Sequence, residues 1–297
     1  MAQVSRRGFL KSTLAGAALA GAGSSIPAFA QKKSATDWVT LGNSGVKVTR
    51  LAFGTGTFAG RVQRELGQEG FTSLVRYAYD HGIRFFETAE AYSGMPAMLG
   101  TALKGLPRDS YRIMTKFSIR PGADLQPKFD RARTDLNTEY LDIVLMHCMR
   151  NATWTADTKA TQDALSEAKA KKVLMAHGAS VHGLPALAAF PGCKWLDVAL
   201  FRINHKGTRM DTPDARDTND LGDVKQVVER VKAVHAQGTG VLGMKLAGEG
   251  QFTAAEDRQA ALDFVMKLGA VDAVTIGYKS TAEVDEAMER MNRALNA

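Results

Sequence analysis

Eight short apolar runs constrain the fold of this chain more than any other feature of its sequence. The runs are rich in Val, Ile, Leu and Phe, and each is followed by a longer segment that mixes polar and apolar residues. Short runs of this composition are typical of strands that are covered on both faces, as in parallel sheets. They span residues 51–54, 83–86, 112–115, 142–146, 173–177, 197–201, 241–244 and 273–276.

The longer segments between the runs have the spacing of amphipathic helices. Apolar residues stand at Phe71, Leu74, Val75, Ala78 and Tyr79, and this i, i+3, i+4, i+7, i+8 pattern forms one stripe on a helix. Strands that alternate with helices predict a parallel sheet with helical crossovers. Eight such units predict a closed α/β TIM barrel, a (β/α)8 fold that typically takes about 250 residues.

A hairpin is predicted ahead of the barrel, where two β-rich runs flank an Asn-Ser-Gly turn at residues 43–45. A doubly wound dinucleotide-binding sheet agrees less well with the sequence. That fold carries Gly-x-Gly-x-x-Gly after its first strand, whereas here Gly54 and Gly56 follow the first run without the third glycine of the motif. The closed barrel is therefore the preferred prediction.

The first thirty residues have the composition of an export signal. Residues 5–11 read Ser-Arg-Arg-Gly-Phe-Leu-Lys and resemble the twin-arginine (Tat) motif, and an apolar stretch rich in Ala and Gly follows. Ala28 and Ala30 match a signal-peptidase site, and the stretch is shorter than the roughly 18 residues that a spanning helix needs. We therefore expect residues 1–30 to be a Tat signal peptide that engages the Tat export machinery and is cleaved after Ala30. Residues 31–297 should form a periplasmic barrel without a stable membrane anchor.

Charge and cysteine content exclude some classes of function. The net charge is +7 and three basic residues lie in the first thirty positions, so the rest of the chain is too weakly basic to predict nucleic-acid binding. The strand pattern places Cys148 and Cys193 at opposite ends of the barrel, and we expect both to be free thiols. Neither Cys-x-x-Cys nor His-Glu-x-x-His occurs, so no metal site is predicted.

Candidate catalytic side chains stand at the ends of consecutive strands, where the working residues of α/β barrels lie. Glu87 and Tyr92 follow the second run, Lys116 the third and His147 the fourth. A carbonyl reduced by hydride needs a proton on its oxygen, and a phenol with a pKa of about 10 is a poor acid near neutral pH. A nearby ammonium should lower that pKa, and a carboxylate should hold the ammonium in place. We therefore interpret Tyr92 as the general acid, tuned by Lys116 and Glu87. His147 would orient and polarise the substrate oxygen.

These segments resemble the aldo-keto reductase family, and the resemblance runs from about residue 38 to the C-terminus. Family members carry Asp-Thr-Ala-x-x-Tyr after the second strand, Thr-Lys at the end of the third and a histidine at the end of the fourth. This chain reads Glu-Thr-Ala-Glu-Ala-Tyr, Thr-Lys and Leu-Met-His at those places. The resemblance implies a carbonyl-reducing oxidoreductase. One departure is Glu87, which stands where the family has Asp and carries the same charge on a longer side chain.

The resemblance also implies a nicotinamide dinucleotide as cofactor, NADP(H), with NAD(H) as the other candidate. Val181 stands where the family has an Asn beside the nicotinamide. Asp285 and Glu289 stand where many members have an Arg for the 2′-phosphate and an Asn for the adenine, and the aspartate should weaken NADPH binding through charge repulsion. The family pattern assigns cofactor contacts to Ser180, Asn204, Met244, Lys245, Gly277, Lys279 and Ser280.

The predicted function is reduction of a small-molecule aldehyde, ketone or sugar-like carbonyl, with Tyr92 as proton donor. Two alternatives stay open: cofactor-independent lyase, isomerase or dehydratase chemistry on the same side chains, and a non-catalytic binding barrel. A long polar loop at residues 204–222 is either a lid or a surface insert. Phe53, Phe58 and Trp154 either line an aromatic pocket or pack in the core.

Overall fold

Eight parallel strands close into a barrel in the computed structural model of the protein, which describes residues 32–120, 122–214 and 220–297. A two-stranded antiparallel hairpin precedes the barrel. The signal peptide predicted for residues 1–30 lies outside the described residues. The hairpin strands are β1 (Trp38–Thr40) and β2 (Lys47–Thr49), and the barrel strands are β3 (Leu51–Gly54), β4 (Phe85–Glu87), β5 (Arg112–Phe117), β6 (Leu141–Met149), β7 (Leu174–Val181), β8 (Val198–Arg202), β9 (Gly240–Met244) and β10 (Ala273–Gly277).

Helices connect the barrel strands and follow the last one. The apolar stripe predicted from sequence is present, because the helix from Gly67 to Asp80 buries Phe71, Leu74, Val75 and Ala78. The helix ends at Asp80, and Gly82, two residues further on, has a left-handed φ of 95°. The described helices are α1 (Arg61–Arg64), α2 (Gly67–Asp80), α3 (Met95–Leu103), α4 (Gln126–Leu136), α5 (Trp154–Asp157), α6 (Lys159–Ala170), α7 (Leu184–Leu187), α8 (Val224–Ala236), α9 (Ala255–Lys267) and α10 (Thr281–Leu295).

The strand order places all carboxyl ends of the barrel strands together. Neighbouring strands in the barrel are neighbours in the chain, and β10 pairs with β3 to close it. Side chains inside the barrel form one apolar cluster, which includes Phe85, Met114, Ile143, Leu145 and Leu242. A second and larger cluster packs the strands against the helices. Because the strands are parallel, side chains at their last residues converge on one end of the barrel.

The hairpin closes the opposite end of the barrel. Leu41, Val46 and Val48 belong to the same apolar cluster as the barrel interior. The backbone N–H of Asn43 donates to the carbonyl oxygen of Gly238, just before β9, at 2.7 Å. The amino-terminal end is therefore covered by protein, which leaves the carboxyl ends of the strands as the open side.

The predicted hairpin and the eight predicted strands are confirmed. The strands β6 and β7 run past their predicted ends at residues 146 and 177, so His147 and Ser180 lie within strands and not after them. The pairing of β6 with β7 shifts register between Met146 and Met149, and Cys148 within this shift has a left-handed φ of 61°. This irregularity changes which side chains of β6 point toward the open end of the barrel.

Two further observations concern the cysteines and the length of the helices. Cys148 and Cys193 are free thiols, as predicted. Within the described ranges, no helix combines the length and the apolar character that crossing a membrane would require.

The polar loop that follows β8 is anchored over its described part. Arg202 and Asp211 form a buried ion pair with an N–O distance of 2.8 Å, and Asp211 also accepts the backbone N–H of Gly183 at 2.6 Å. The ends of the loop meet where the Gly222 N–H donates to the Gly207 carbonyl oxygen at 2.8 Å. Residues 215–219 lie outside the described residues, and a role of this loop as a lid stays a prediction.

Candidate active site

Lys116 is the centre of a buried polar cluster at the carboxyl ends of β4 and β5. Its Nζ donates to Oε1 of Glu87, to the carbonyl oxygen of Thr88 at 2.8 Å and to the hydroxyl of Tyr92 at 3.2 Å. Lys116 is 1% exposed and Glu87 is 4% exposed, so the ammonium is compensated by protein groups and not by water. These contacts use all three donors of the ammonium.

Tyr92 and His147 complete the cluster. His147 lies in β6, and its ring meets the Tyr92 ring edge to face, with centroids 5.7 Å apart and planes at 82°. Because the Tyr92 oxygen accepts a bond from Lys116, the hydroxyl can still donate its own hydrogen to a group in front of it. The structure thus brings together the side chains predicted to be catalytic: Glu87, Tyr92, Lys116 and His147.

The electrostatics of Tyr92 differ from the sequence-based expectation. Burial and, next to it, the negative charge of Glu87 raise the pKa of Tyr92 well above its ordinary value of 10.0. The expectation that the pKa of Tyr92 is lowered is therefore wrong for the described site, because desolvation and the Glu87 carboxylate raise it. Tyr92 consequently keeps its proton throughout the neutral pH range.

A cavity of about 540 Å³ opens beside this cluster. Glu87 and Tyr92 line one part of it, together with Gly54 and Gly56 from the end of β3 and the turn after it. A Cβ atom on Gly56 would lie 2.6 Å from the Tyr92 hydroxyl, so only glycine leaves the space in front of that hydroxyl open. The rest of the lining comes from the ends of β9 and β10 and from α9 and α10.

The part of the cavity lined by α9 and α10 carries both signs of charge. Arg258 and Arg290 each contact Oε1 of Glu286 through Nε at 2.7 Å, so one carboxylate serves two guanidinium groups. All three side chains line the cavity. The other ion pairs in the lining join Lys245 to Glu249 at 2.6 Å and Lys279 to Glu283 at 3.9 Å.

The residues predicted to hold a dinucleotide divide into two groups. Met244, Lys245, Gly277 and Lys279 line the cavity. The other three, Ser180, Asn204 and Ser280, have their side chains engaged in hydrogen bonds elsewhere and are outside its lining.

Each of these three side chains holds backbone in place. Ser180 Oγ accepts the N–H of Cys148 at 2.9 Å, which ties the register shift of β6 to β7. Asn204 donates to the carbonyl oxygen of Lys245 at 3.1 Å and makes further bonds within the loop after β8. Ser280 caps α10 by accepting an N–H of its first turn at 3.3 Å. Their predicted cofactor contacts stay predictions.

Of the three aromatic side chains that were candidates for a pocket, one lines the cavity. Phe58 lines the cavity and is 44% exposed, and it follows the glycines of the turn after β3. Phe53 and Trp154 are buried in the core, where Trp154 donates its indole N–H to the carbonyl oxygen of Ala186 at 3.2 Å. Phe58 is therefore the one of these three side chains that a ligand in the cavity could contact.

Sequence reasoning did not find several residues of this site. Thr275 and Gly54 belong to the site because they lie close to the Glu87 carboxylate, and no sequence motif indicates that closeness. Arg258 and Arg290 come from two helices that meet only in the folded barrel. Arg290 stands beyond Asp285 on α10, so a cation is present on this helix although the expected position carries an aspartate. To identify these arginines from the sequence, one would have to know beforehand that α9 packs against α10.

Parts of this chain are similar in sequence to known aldo/keto reductases. The aldo/keto reductase family model matches residues 50–181. "Probable aldo-keto reductase 1" of Glycine max is 34% identical over 122 residues, which cover 37% of this chain and 35% of that protein. "L-galactose dehydrogenase" of Arabidopsis thaliana is 34% identical over 118 residues, or 36% of each chain. The aligned segment thus spans about a third of the length of these curated relatives.

Solved structures share the whole barrel. Aldo-keto reductase AKR11C1 from Bacillus halodurans (holo form) superposes with a TM-score of 0.69 at 15% identity, covering 87% of this chain and 95% of that one. An aldo-keto reductase from Klebsiella pneumoniae in complex with NADPH has a TM-score of 0.61 at 16% identity, with 90% of both chains covered. Residues 50–181 of this chain are thus similar to the aldo/keto reductase family, and the solved structures show that the fold is shared.

Proposed function

We propose that this protein is a nicotinamide-dependent oxidoreductase of the aldo/keto reductase family that reduces a small-molecule carbonyl. The observation that carries the proposal is the buried cluster in which Lys116 contacts Glu87 and Tyr92 at the wall of a cavity. The family match over residues 50–181 supports the same chemistry. The proposed substrate is an aldehyde, ketone or sugar-like carbonyl, and the proposed cofactor is NADP(H), with NAD(H) as the other candidate.

The protein's part in the reaction is to deliver a proton. Tyr92 is protonated at neutral pH, so its hydroxyl can donate to a carbonyl oxygen in the cavity. Its raised pKa makes it a weaker acid than an ordinary phenol, so the transfer depends on a group that stabilises the charge left on its oxygen. As the proton leaves, negative charge develops on the Tyr92 oxygen, and the Lys116 ammonium 3.2 Å away stabilises it. Glu87 keeps the ammonium in position. His147, beside the Tyr92 ring, would orient the substrate oxygen.

The residues of the cavity fit a nicotinamide dinucleotide. The volume of about 540 Å³ lies in the range of about 300–1,000 Å³ that ligand sites usually have. The space beside Tyr92 is one that a Cβ on Gly56 would fill, and Lys279 and the two arginines offer cations for phosphate groups. When bound, such a molecule would supply the hydride that reduces the carbonyl carbon.

The test is a comparison of tyrosine variants. NADPH or NADH is mixed with a panel of aldehydes, ketones and sugars, and the loss of reduced-nicotinamide absorbance is followed. Tyr92→Phe should lower kcat by about 10²–10⁴-fold, the usual contribution of a general acid, while dinucleotide binding followed by tryptophan fluorescence is unchanged. Tyr77→Phe is the matched control, because its hydroxyl bonds to Asp285 at 2.9 Å outside the cavity lining. Wild-type kcat in Tyr92→Phe, or no consumption of either dinucleotide, would refute the proposal.

We propose in addition that the chain is exported by the Tat machinery to the periplasm. The support is the motif at residues 5–11 and the small residues Ala28 and Ala30. N-terminal sequencing of the chain from a periplasmic fraction should give Gln31 as the first residue. The double substitution Arg6→Lys/Arg7→Lys should hold the chain in the cytoplasm, and a periplasmic chain that retains residues 1–30 would contradict the cleavage.

A further inference from the structure

We propose that Thr275 and Gly54 form a built-in seat for the long side chain of Glu87, and that Thr275 is a positioning residue for the Lys116–Tyr92 pair. This inference rests on the proposed function, because it assigns a role within the same site. Its evidence is separate, and comes from three neighbouring strands of the barrel in the order β10, β3, β4.

Glu87 reaches across β3 to the strand on its far side. Its backbone pairs with Gly54 of β3, and Gly54 in turn pairs with Gly277 of β10. One carboxylate oxygen, Oε1, contacts Lys116, while Oε2 accepts the hydroxyl of Thr275 at 3.4 Å. The carboxylate is thus held from two sides, by the ammonium and by a hydroxyl two strands away.

Gly54 leaves the space through which the Glu87 side chain reaches Thr275. A Cβ atom on Gly54 would lie 2.6 Å from the Thr275 hydroxyl oxygen and 3.1 Å from Oε2 of Glu87. The backbone of Gly54 is not in a left-handed conformation, so the glycine is required here by space and not by φ. Any larger residue would push apart the two groups that meet above it.

The seat explains how a glutamate can do the work of the aspartate that the family pattern has at this position. A side chain longer by one methylene has an additional torsion, and its carboxylate would otherwise sample more positions relative to Lys116. The Thr275 hydroxyl restricts it to one of them. An aspartate is too short to keep Lys116 and reach Thr275 as well, so the role of Thr275 should exist only with glutamate at position 87.

A double-mutant cycle tests this dependence. Thr275→Val, which keeps the shape of the side chain but removes the donor, should lower kcat about five-fold with KM for the dinucleotide unchanged. Thr275→Ser, which restores the donor, should recover the lost kcat. In a Glu87→Asp background, Thr275→Val should have no further effect on kcat. Thr239→Val is the matched control, because it removes a buried hydroxyl bond to the Leu196 carbonyl oxygen at the other end of the barrel.

The same variants give a readout that needs no activity. In urea denaturation, Gly54→Ala should lower the unfolding midpoint, and Glu87→Asp, which vacates the position of Oε2, should recover part of that loss. Thr275→Val should lower the midpoint less in the Glu87→Asp background than in the wild type. Strictly additive effects on both kcat and midpoint would overturn the seat. Non-additive midpoints in a protein that reduces no carbonyl would uphold the seat and overturn the proposed function.

Discussion

Removal of the Lys116 ammonium is the perturbation whose effect the structure predicts most sharply. Lys116→Met keeps the length and apolar stem of the side chain and deletes three hydrogen-bond donors. It leaves the Glu87 carboxylate, 4% exposed, without its cation, and the Thr88 carbonyl oxygen without that donor. Breaking a buried ion pair from one side costs about 3–5 kcal/mol, which is a large part of a usual stability of about 5–15 kcal/mol.

The double variant Lys116→Met/Glu87→Leu should recover most of that loss, because no uncompensated charge then remains in the site. Urea denaturation at pH 7 measures both variants against the wild type. In Lys116→Met the unpaired Glu87 carboxyl should have a raised pKa, so the destabilisation should shrink as the pH falls and the carboxyl is protonated. A single variant that loses less than about 1 kcal/mol, or a double variant as unstable as the single one, would refute the burial argument.

Two further predictions concern the charged part of the cavity and the cysteines. Glu286→Gln releases two arginines from a shared carboxylate and should tighten NADPH binding about three- to ten-fold, measured by fluorescence titration. The matched control is Glu229→Gln on the exposed face of α8, away from the cavity lining, which should leave the affinity unchanged. Equal affinities of the two variants would contradict this. Burial acts to raise the pKa of the Cys148 thiol, but hydrogen bonds and charge from two histidines outweigh burial and lower the pKa to about 5. Alkylation of Cys148 by iodoacetamide should therefore be at its plateau rate at pH 7 and slow only below pH 5. Burial raises the pKa of Cys193 above 9.0, so its alkylation should still be increasing at pH 9, and parallel pH profiles of the two cysteines by mass spectrometry would refute the assignment.

The fold could be predicted from sequence because each unit of it has a local signal. The strand runs have the composition that is typical of strands buried on both faces, and the stripe of α2 has the helical period. Strand ends were less predictable. The ends of β6 and β7 depend on a register shift at Cys148 and on the Ser180 hydroxyl that holds it, which are contacts between distant residues.

The candidate catalytic cluster was predictable for a related reason. Parallel strands deliver their last residues to one end of the barrel, so Tyr92, Lys116 and His147 had to converge once the strands were assigned. The pKa of Tyr92 was not predictable, since its direction depends on how deeply the hydroxyl is buried and on how close Glu87 lies. The contact between Glu87 and Thr275 was not predictable either, because Thr275 stands 188 positions further along the chain.

Following the hydride itself tests whether this protein reduces carbonyls. The chain is incubated with an aromatic aldehyde and NADPH or NADH that carries deuterium on one or the other face of C4, and the alcohol product is analysed by mass spectrometry. We predict that one labelled face, and only one, delivers deuterium to the carbinol carbon, and that Tyr92→Phe slows this transfer by about 10²–10⁴-fold. Alcohol without deuterium from either face, or no alcohol from the wild-type protein, would contradict the account.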